Sequence, residues 1–386
     1  MKTLISMLAF ALAAAPLASC NAAPAQPSGG KAEATAAFVV EEFGEFDEPW
    51  ALAFAPGTGV LFVTERGGTL KFVDTASGKL GTVSGLPKVD YGGQGGLGDI
   101  AFLPTEAAPK LAKRTIYLTW VEAGEGGTRG AVAGRGTLVC EEADACRIDG
   151  LSVIWRQDPK VAGRGHFSHR LLFSPDGQTL YLSSGERQKF TPAQDLSVNL
   201  GKVLRLNPDG TPKTGNPFAA KGAVSAQIWS YGHRNILGLG WDGQGRLWGL
   251  EHGPAGGDEL NLIEPGKNYG WPLVSNGDHY DGKAIPRHAT RPDLAAPAIS
   301  WNPVIAPGDF IFYSGDKFPA WKGQAIIAGL VFTGLVRVAI DGTSAREVER
   351  FDLGTRIREI EQGPDGAVWI AEDVDGGRLR KLVPKG

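Results

Sequence analysis

The chain has 386 residues, a formal net charge of −3 and a pI near 6.1. The charge and pI give no sign of the excess of basic residues that binds nucleic acid, so we expect neither RNA nor DNA as a partner. With 55 Gly, 25 Pro and only 2 Met, the composition favours many turns and few long helices. The length suits one large β domain or two smaller ones.

The first residues, 1–19, are predicted to be a lipoprotein signal peptide. Lys2 supplies a positive charge, and the apolar run from Leu4 to Leu17 is too short to cross a bilayer. The run ends in LASC at 17–20, which resembles a bacterial lipobox with Cys20 as the acylated first residue of the mature chain. Ordinary secretion, with cleavage near Ala23, is the alternative.

The next segment, 20–36, is rich in Ala, Pro, Gly and Ser and is predicted to be a flexible tether. Asn21 rather than Asp follows the cysteine, which favours the outer membrane. We therefore expect the protein on the periplasmic side of the cell envelope, with the lipid anchor as its contact with the membrane. The remaining residues, 37–386, are expected to form the functional domain.

Two further cysteines, Cys140 and Cys146, lie close together in the sequence. In an oxidising periplasm a local disulfide across a hairpin is the expected arrangement. A metal site is the alternative, but it lacks a nearby His or a third Cys.

A short unit recurs along the domain: an aromatic residue or Gly, then Pro or Asp with Gly, then a brief apolar strand. Clear copies are FAPG with VLFV at 54–63, FSPDG with LYL at 173–182, WDGQG with LWGL at 241–250 and GPDG with VWI at 363–370. A weaker copy covers 102–118 and a divergent one covers 310–340.

Each copy has the pattern of a β-hairpin, because Pro, Asp and Gly form tight turns and the alternating apolar residues face a neighbouring sheet. Six copies, spaced by roughly 50–70 residues, predict an all-β, six-bladed β-propeller with long inserted loops. Residues 38–42 would pair with the C-terminal blade and close the ring. A pair of packed sheets with coincidental turns is the alternative.

Three segments beside predicted strand ends, at 165–170, 232–235 and 251–261, are rich in histidine, arginine and glycine. Such positions place side chains and exposed main-chain groups on a rigid scaffold, where a site can form. The three segments belong to a longer ordered set of motifs: QGGLG at 94–98, HFSHR at 166–170, QD at 194–195, GK at 201–202, NPF at 216–218, YGHRN at 231–235, EHGP at 251–254, DELNL at 258–262, NYGWP at 268–272 and RIR at 356–358. This set resembles the soluble quinoprotein glucose and aldose sugar dehydrogenases, from about residue 40 to 384.

The resemblance implies a six-bladed propeller that holds pyrroloquinoline quinone (PQQ) and Ca²⁺ at the top of its axis. It implies oxidation of an aldose sugar at C1 to the lactone, with hydride transfer to the quinone and electrons passed to an external acceptor. His166 matches the catalytic histidine, whose imidazole is neutral near pH 7 and can take the C1 hydroxyl proton. A structural histidine bonded to a loop carbonyl is the alternative.

Several residues match cofactor-binding positions of the family. Arg234 and Asn235 match a pair that touches cofactor and quinone oxygens, and Arg234 would stabilise the charge that develops on reduction. An ion pair between blades is the alternative for Arg234. Gln94 matches a position near cofactor and substrate.

Two further cofactor contacts follow from the same resemblance. Arg356 and Arg358 alternate along one strand, so both can face the same side and contact the PQQ carboxylates. Trp301 resembles a tryptophan that lies against the cofactor plane, and a place in the core is its alternative.

Two metal sites are implied in the same way. Gly253 and Pro254 match residues whose main-chain carbonyls ligate the cofactor's Ca²⁺, for which carbonyl oxygens are suitable hard ligands. A plain turn is the alternative. Glu259 and the main chain of Tyr269 match a second, structural calcium site, and a solvated Glu beside a turn is the alternative.

Two positions depart from the family. Val331 stands where glucose-type members carry a cofactor-binding lysine, and His169 stands where relatives usually carry a small residue, often Gly. His169 either narrows the pocket or faces outward. Two other functions stay open from sequence: a calcium-dependent propeller hydrolase of the lactonase type, and a non-catalytic ligand-binding propeller lipoprotein.

Overall fold

The computed structural model of the protein describes residues 38–385. The predicted signal peptide 1–19, the predicted lipidation site Cys20, the predicted tether 20–36 and the two end residues of the predicted domain lie outside the described residues. Within 38–385, no helix combines the length and apolar character needed to cross a bilayer.

Residues 38–385 form an all-β fold, with 24 strands numbered in chain order and arranged in five sheets. The first sheet consists of β1 (Phe38–Phe46), β24 (Gly377–Pro384), β23 (Val368–Glu372) and β22 (Ile357–Gln362). The second consists of β10 (Ser168–Phe173), β11 (Leu180–Ser184), β12 (Lys202–Leu206) and β13 (Ile228–Tyr231). The third consists of β14 (Ile236–Trp241), β15 (Leu247–Glu251), β16 (Asp258–Leu262) and β17 (Ile299–Trp301). The fourth consists of β18 (Pro307–Phe312), β19 (Ala325–Gly329), β20 (Gly334–Asp341) and β21 (Ser344–Asp352).

The fifth sheet has eight strands. Its order is β2 (Pro49–Phe54), β3 (Val60–Glu65), β4 (Thr69–Asp74), β5 (Lys79–Ser84), β9 (Ala145–Arg156), β8 (Arg129–Val139), β7 (Lys113–Ala123) and β6 (Leu97–Phe102). It consists of two antiparallel runs of four strands, β2 to β5 and β6 to β9, joined where β5 pairs in parallel with β9. Pairing in the other four sheets is antiparallel throughout.

Helical structure in residues 38–385 is limited to short 3-10 turns. These are Pro104–Glu106, Glu125–Gly127, Thr191–Gln194, Ala219–Lys221, Ser225–Gln227, His288–Thr290 and Pro319–Trp321. Each lies in a connection between strands.

The recurring unit forms the hairpin that the sequence predicted. In the copy at 173–182, the Ser174 amide donates to the Thr179 carbonyl at 2.9 Å and the Gly177 amide donates to the Ser174 carbonyl at 2.8 Å. Gly177 has φ 69, a left-handed conformation that glycine adopts without strain. The turn therefore places the apolar strand β11 beside β10.

The first strands of the four-stranded units contact one another in a closed cycle. β2 contacts β6, and the contacts continue through β10, β14 and β18 to β22, which returns to β2. We call these six the inner strands. The predicted pairing of the N-terminal strand with the last strand is confirmed, because Phe38 lies opposite Pro384 and Glu42 opposite Arg380.

Apolar side chains fill the spaces between neighbouring sheets. Trp248 and Leu250 of β15 pack with Phe310 and Ile327 of the next sheet, all of them buried. Burial of such side chains contributes roughly 1.5–3 kcal/mol each. The core is thus shared between sheets, which fixes the ends of the inner strands relative to one another.

At the centre of the ring lies a buried arginine. The Arg170 guanidinium is 2.6 Å from Glu359, 3.4 Å from Asp99 and 3.7 Å from Asp309. Beyond it, the C-terminal halves of the inner strands line a cavity of about 440 Å³, the far cavity, with Glu361 also on its wall.

The predicted disulfide is present. Cys140 and Cys146 are bonded across the hairpin formed by β8 and β9.

Candidate active site

Two cavities and a crevice lie at the N-terminal ends of the inner strands, opposite the far cavity. The axial cavity, about 300 Å³, is lined by Gln94, Trp50, His169, Asn235, Arg356, Arg358 and their neighbours. The lateral cavity, about 380 Å³, is lined by His166, Glu186, Phe190, Arg234, Pro254, Trp271, Tyr280 and their neighbours. The crevice, about 10 Å³, has room for roughly one water or ion.

The three spaces share walls. His252 lines both the axial cavity and the crevice, while Arg234 and Pro254 line both the crevice and the lateral cavity. Gly253 also lines the crevice. The structure therefore brings together most of the residues that the sequence placed in one site.

His166 and Glu186 form a buried dyad on the lateral cavity. His166 Nδ1 is hydrogen-bonded to the Glu186 carboxylate, and each residue is at least 94% buried. Burial lowers the pKa of His166 by more than the bond to Glu186 raises it. The imidazole is therefore neutral near pH 7, and because Nδ1–H faces the carboxylate, Nε2 carries the free lone pair.

Glu186 also holds the loop that follows it. Its carboxylate accepts the backbone amides of Gln188, Lys189 and Phe190, at 2.9, 2.5 and 2.6 Å. Burial alone would raise the pKa of Glu186, but the hydrogen bonds bring it below its ordinary value. One ionised carboxylate thus orients the histidine and shapes the cavity mouth.

Glu186 was not among the site residues predicted from the sequence. A signal was present, because Gly185-Glu186 directly follows a buried strand in the same way as the histidine segments follow theirs. A single glutamate in a polar loop was not distinguishable from a solvated one.

Arg234 is a buried guanidinium without a carboxylate partner. It is 5% exposed, and its side chain donates to the His252 carbonyl and the Tyr280 hydroxyl, both at 3.2 Å. Its Nε has no hydrogen-bond acceptor in the described chain. The alternative of an ion pair between blades is therefore wrong, and the positive charge faces the lateral cavity.

Gln94 and Asn235 lie on the axial cavity, as predicted for cofactor contacts. Gln94 Oε1 accepts the His166 amide at 2.6 Å, so it also fixes the histidine loop. Asn235 Oδ1 accepts the Ser168 hydroxyl at 3.1 Å. The amide nitrogens of both side chains are available to a bound group.

Arg356, which directly precedes β22, and Arg358 within β22 reach the same side, as predicted. Both reach Asp373, at 2.5 Å for Arg356 Nη2 and 2.7 Å for Arg358 Nη2. One carboxylate is thus shared by two guanidinium groups, which leaves net positive charge on the axial cavity. Arg66, which the sequence analysis did not select, lines the same cavity and has an unsatisfied Nε.

The loop carrying Gly253 and Pro254 presents free carbonyl groups. Within residues 38–385, neither carbonyl oxygen accepts a hydrogen bond. Asp258 fixes the loop, because its carboxylate accepts the Gly253 amide at 2.8 Å and the Ala306 amide at 2.7 Å. A Cβ at Gly253 would lie 2.3 Å from the Gly256 carbonyl oxygen, so the turn requires glycine. Two fixed, unused carbonyls beside a small space are the ligand type that Ca²⁺ takes.

The second predicted metal position is less open. Glu259 is buried and bonded to His288 at 3.1 Å and to Asn261 at 3.2 Å, so both carboxylate oxygens have partners. The Tyr269 ring stacks on His233. Glu259 and Tyr269 both line the crevice, but in the described part of the chain no three His, Cys, Asp or Glu side chains cluster as a metal site. A structural calcium there stays a prediction.

The predicted role of Trp301 in cofactor stacking is wrong. Trp301 is 4% exposed, packs in the core with Trp248 and Phe310, and donates from Nε1 to Glu347 at 2.8 Å. It lines none of the cavities described above. Trp301 belongs to β17, at the outer side of its sheet, so it is turned away from the axis. The alternative, a place in the core, is therefore the one observed.

The two departures from the family also have definite places. Val331 is 58% exposed and does not line the axial cavity, although Leu330 does. His169 is 1% exposed and lines that cavity, so it does not face outward.

Comparison with known proteins identifies the family. The sequence model of the glucose/sorbosone dehydrogenase family matches residues 46–381. An aldose sugar dehydrogenase, YliI of Escherichia coli K12, is 36% identical over 348 residues, which are 88% of this chain and 91% of that relative.

Solved structures give the same result. The soluble aldose sugar dehydrogenase of Escherichia coli in its apo form aligns with a TM-score of 0.81 and 34% identity, over 90% of this chain and all of that one. The PQQ-bound aldose sugar dehydrogenase of Streptomyces coelicolor aligns with a TM-score of 0.70 and 27% identity, over 90% of this chain and 98% of that one. The chain belongs to the glucose/sorbosone dehydrogenase family, a family of oxidoreductases.

Proposed function

We propose that this protein is a PQQ- and Ca²⁺-dependent dehydrogenase that oxidises an aldose sugar at C1 to the lactone and passes the electrons to an external acceptor. One observation carries the proposal. A neutral His166 held by Glu186 shares the lateral cavity with the uncompensated guanidinium of Arg234, beside the free carbonyls of Gly253 and Pro254.

We also propose that the domain is a six-bladed β-propeller. The closed cycle of six inner strands supports this, together with the division of the eight-stranded sheet into two antiparallel runs of four. In such a propeller the axial cavity lies over the central channel.

The residues present fit the cofactor. PQQ is a planar ortho-quinone with three carboxylates, and the axial cavity offers Arg66, Arg356 and Arg358 with the amides of Gln94 and Asn235. When bound, PQQ supplies a quinone that accepts a hydride, and Ca²⁺ on the carbonyls of Gly253 and Pro254 supplies Lewis acidity. Arg66, whose Nη1 is paired with Glu48 at 2.9 Å, is a third guanidinium on the axial cavity, whereas Val331 lies outside that cavity.

Residues of this chain can accept the C1 hydroxyl proton and stabilise the charge that develops in the reaction. Oxidation at C1 removes a hydride from carbon and a proton from the hydroxyl, and it leaves the C1=O bond of the lactone. His166 Nε2 takes the proton, because its lone pair faces the lateral cavity while Glu186 holds Nδ1–H. The resulting imidazolium is stabilised by the Glu186 carboxylate. The Arg234 guanidinium would stabilise the negative charge that develops when the quinone is reduced.

The relatives support the substrate and cofactor classes. The Escherichia coli relative is named an aldose sugar dehydrogenase, and the Streptomyces coelicolor structure is named as a PQQ-bound form. The substrate of this protein is accordingly proposed to be an aldose with a free C1 hydroxyl.

Reconstitution tests the proposal. Purified protein loaded with PQQ and Ca²⁺ should reduce a redox dye when several aldoses are added, and the product should be the lactone or the aldonic acid formed by its hydrolysis. A 1,5-anhydro sugar, which lacks the C1 hydroxyl, is the matched inactive substrate. Absence of dye reduction with every aldose, at saturating PQQ and Ca²⁺, would show that the proposal is wrong.

The location of the protein is a separate proposal. The LASC motif at 17–20 supports acylation of Cys20 and anchoring to the outer membrane on its periplasmic side. A Cys20→Ala variant should then move from the membrane fraction to a soluble one or remain unprocessed. An intact mass that places the mature N-terminus after Ala23 would instead establish ordinary secretion.

The other two functions considered from sequence are less well supported. A lactonase-type calcium site needs open carboxylate ligands on the axis, but Asp99, Asp309 and Glu359 converge there on the Arg170 guanidinium. A non-catalytic binding protein would not require the neutral dyad of His166 and Glu186. Reconstitution distinguishes these functions directly.

A further inference from the structure

Two stacked rings form part of the wall of the axial cavity, and the family resemblance assigned a role to neither of them. The His169 and Trp50 rings lie 4.9 Å apart at 18° and are 1% and 4% exposed. Both line the cavity. Besides His169, the Arg170 guanidinium lies over the Trp50 ring, 4.1 Å from its centroid. With the faces of the rings occupied in this way, their edges, which carry the nitrogen atoms, are left to meet a bound group.

The tautomer of His169 follows from its hydrogen bonds. A threonine hydroxyl has one proton to donate and two lone pairs to accept with. Thr119 Oγ1 accepts the Asp99 amide at 2.7 Å and donates to the His169 carbonyl at 2.9 Å. His169 Nδ1, also 2.9 Å from this oxygen, is therefore the donor of that third bond. Nε2 is left as a bare acceptor.

The charge state of His169 agrees with this arrangement. Burial, reinforced by the neighbouring Arg170 charge, lowers the pKa of His169 to about 3. The ring is neutral throughout the physiological range, so Nε2 accepts hydrogen bonds and does not add to the cations of the cavity.

The polar atoms on the two ring edges are unused. His169 Nε2 bonds to no residue in 38–385, and Trp50 Nε1–H has no acceptor there. Neither atom belongs to the fully buried polar atoms without a hydrogen-bond partner, so each unpaired nitrogen is accessible from open space. One free acceptor and one free donor, each on a side chain more than nine-tenths buried, therefore face the same cavity.

We propose that His169 and Trp50 bind the pyrrole edge of the cofactor: His169 Nε2 accepts the pyrrole N–H, and Trp50 Nε1–H donates to the adjacent carboxylate. This inference rests on the proposed function. The pyrrole ring of PQQ places an N–H donor next to a carboxylate acceptor, which is the complement of the two ring edges. The pyridine nitrogen of PQQ is an acceptor and does not match a bare Nε2.

The test is a binding measurement on apo-protein, independent of turnover. Dissociation constants for PQQ and for N1-methyl-PQQ, both in saturating Ca²⁺, are measured by visible absorption with wild-type protein, His169→Phe and Trp50→Phe. Phe keeps a flat ring at each place but removes the polar nitrogen. Trp321→Phe, a buried tryptophan that stacks on Phe318 and lines none of the four cavities described above, is the matched control.

The expected pattern is specific to each nitrogen. His169→Phe should weaken PQQ binding about 3- to 10-fold, the effect of one lost hydrogen bond, and should leave N1-methyl-PQQ binding unchanged. Trp50→Phe should weaken both ligands by a similar factor, because both retain the carboxylate. The control variant should bind both ligands like the wild type.

Two results would overturn the inference. One is unchanged PQQ binding by His169→Phe, and the other is an equal loss for both ligands, which would make the ring a packing element only. If His169→Phe does not fold, His169→Gly is measured in its place, because φ 57 at this position suits glycine. Failure of wild-type protein to bind PQQ at all would instead refute the proposed function.

Discussion

The two ends of the inner strands are built from the same six segments but differ in charge and in backbone conformation. At their N-terminal ends, Arg66, Arg356 and Arg358 line the axial cavity with two carboxylates, Glu48 and Asp373, so positive charge is in excess. At their C-terminal ends, four carboxylates line the far cavity, and Arg170 is the one cation among the described residues on its wall. The two ends therefore differ in charge: one is cationic and suited to an anionic cofactor, and the other is acidic, with three of its carboxylates grouped around Arg170.

Backbone strain follows the same division. Eight non-glycine residues in 38–385 have positive φ: Glu48, His166, Ser168, His169, Arg187, Gln188, Phe190 and Ala306. Seven of them line the axial or lateral cavity, the eighth lies between Glu186 and Gln188, and none lines the far cavity. Such conformations cost roughly 1–3 kcal/mol each and persist where the surroundings over-determine them. Their concentration at one end marks that end as the functional one.

Two of the buried arginines, Arg170 and Arg234, differ most clearly. Arg170 is surrounded by three carboxylates, whereas Arg234 has none within ion-pair distance among the described residues. Removal of one member of a buried ion pair is strongly destabilising because it leaves uncompensated buried charge, whereas an unpaired buried charge already carries its desolvation cost. Arg170 is therefore expected to serve the fold, and Arg234 the chemistry.

The largest expected effect is on catalysis at the strained end. His166→Gln should lower kcat about 10²- to 10⁴-fold, because the proton acceptor is lost, while the Kd for PQQ stays within about twofold of the wild type. Dye-reduction kinetics and a PQQ titration measure the two quantities. Unchanged kcat would remove His166 from the mechanism.

At the centre of the ring, Arg170→Met should lower the free energy of unfolding by about 3–5 kcal/mol, because three buried carboxylates lose their counter-charge. Denaturant unfolding of the apo-protein measures the loss. A variant as stable as the wild type would contradict the structural role of Arg170.

At the lateral cavity, Arg234→Met should have the opposite profile. We expect kcat to fall about 10²-fold, while the free energy of unfolding is unchanged or higher, because an uncompensated buried charge is removed. The same two assays apply to both arginine variants. A large loss of stability in Arg234→Met would remove the distinction between the two ends.

The pH dependence of kcat/KM should reflect the protonation of His166 in its dyad with Glu186. His166 must be neutral to accept a proton, so activity is present above its pKa and is lost as pH falls through it. Burial lowers that pKa, so kcat/KM should stay constant from pH 8 down to the ordinary histidine value of about 6.5 and decline only below it. A decline that begins above pH 7 would contradict the buried dyad.

The smallest expected effect concerns strain alone. Ala306 has φ 47, so Ala306→Gly should raise the free energy of unfolding by about 0.5–1 kcal/mol. The control is Ala325→Gly in the regular strand β19, which should lower it by a similar amount. Equal destabilisation by both changes would show that Ala306 is not strained.

The sequence predicted the elements of the fold well because they depend on local chemistry. The turns with Pro, Asp and Gly placed β3, β11, β15 and β23, and the predicted closure of the ring gave the pairing of β1 with β24, which completes the last sheet. The motif positions predicted which residues meet at one end, including His166, Arg234 and Pro254. These results follow from spacing and resemblance together.

What the sequence did not predict depends on packing between distant segments. Trp301 points into the core because β17 lies at the outer side of its sheet, a fact that its motif does not encode. Glu186 and Arg66 became visible only when the fold placed them against His166 and the axial cavity. The orientation of His169 required the hydroxyl of Thr119, which lies 50 residues earlier in the chain.

A crystal structure of the protein with PQQ and Ca²⁺ tests the central claim most directly. We expect Ca²⁺ at about 2.3–2.6 Å from the carbonyl oxygens of Gly253 and Pro254, with PQQ in the axial cavity and His166 Nε2 facing the lateral cavity. Calcium or PQQ bound at the far cavity, or His166 turned away from both, would contradict it.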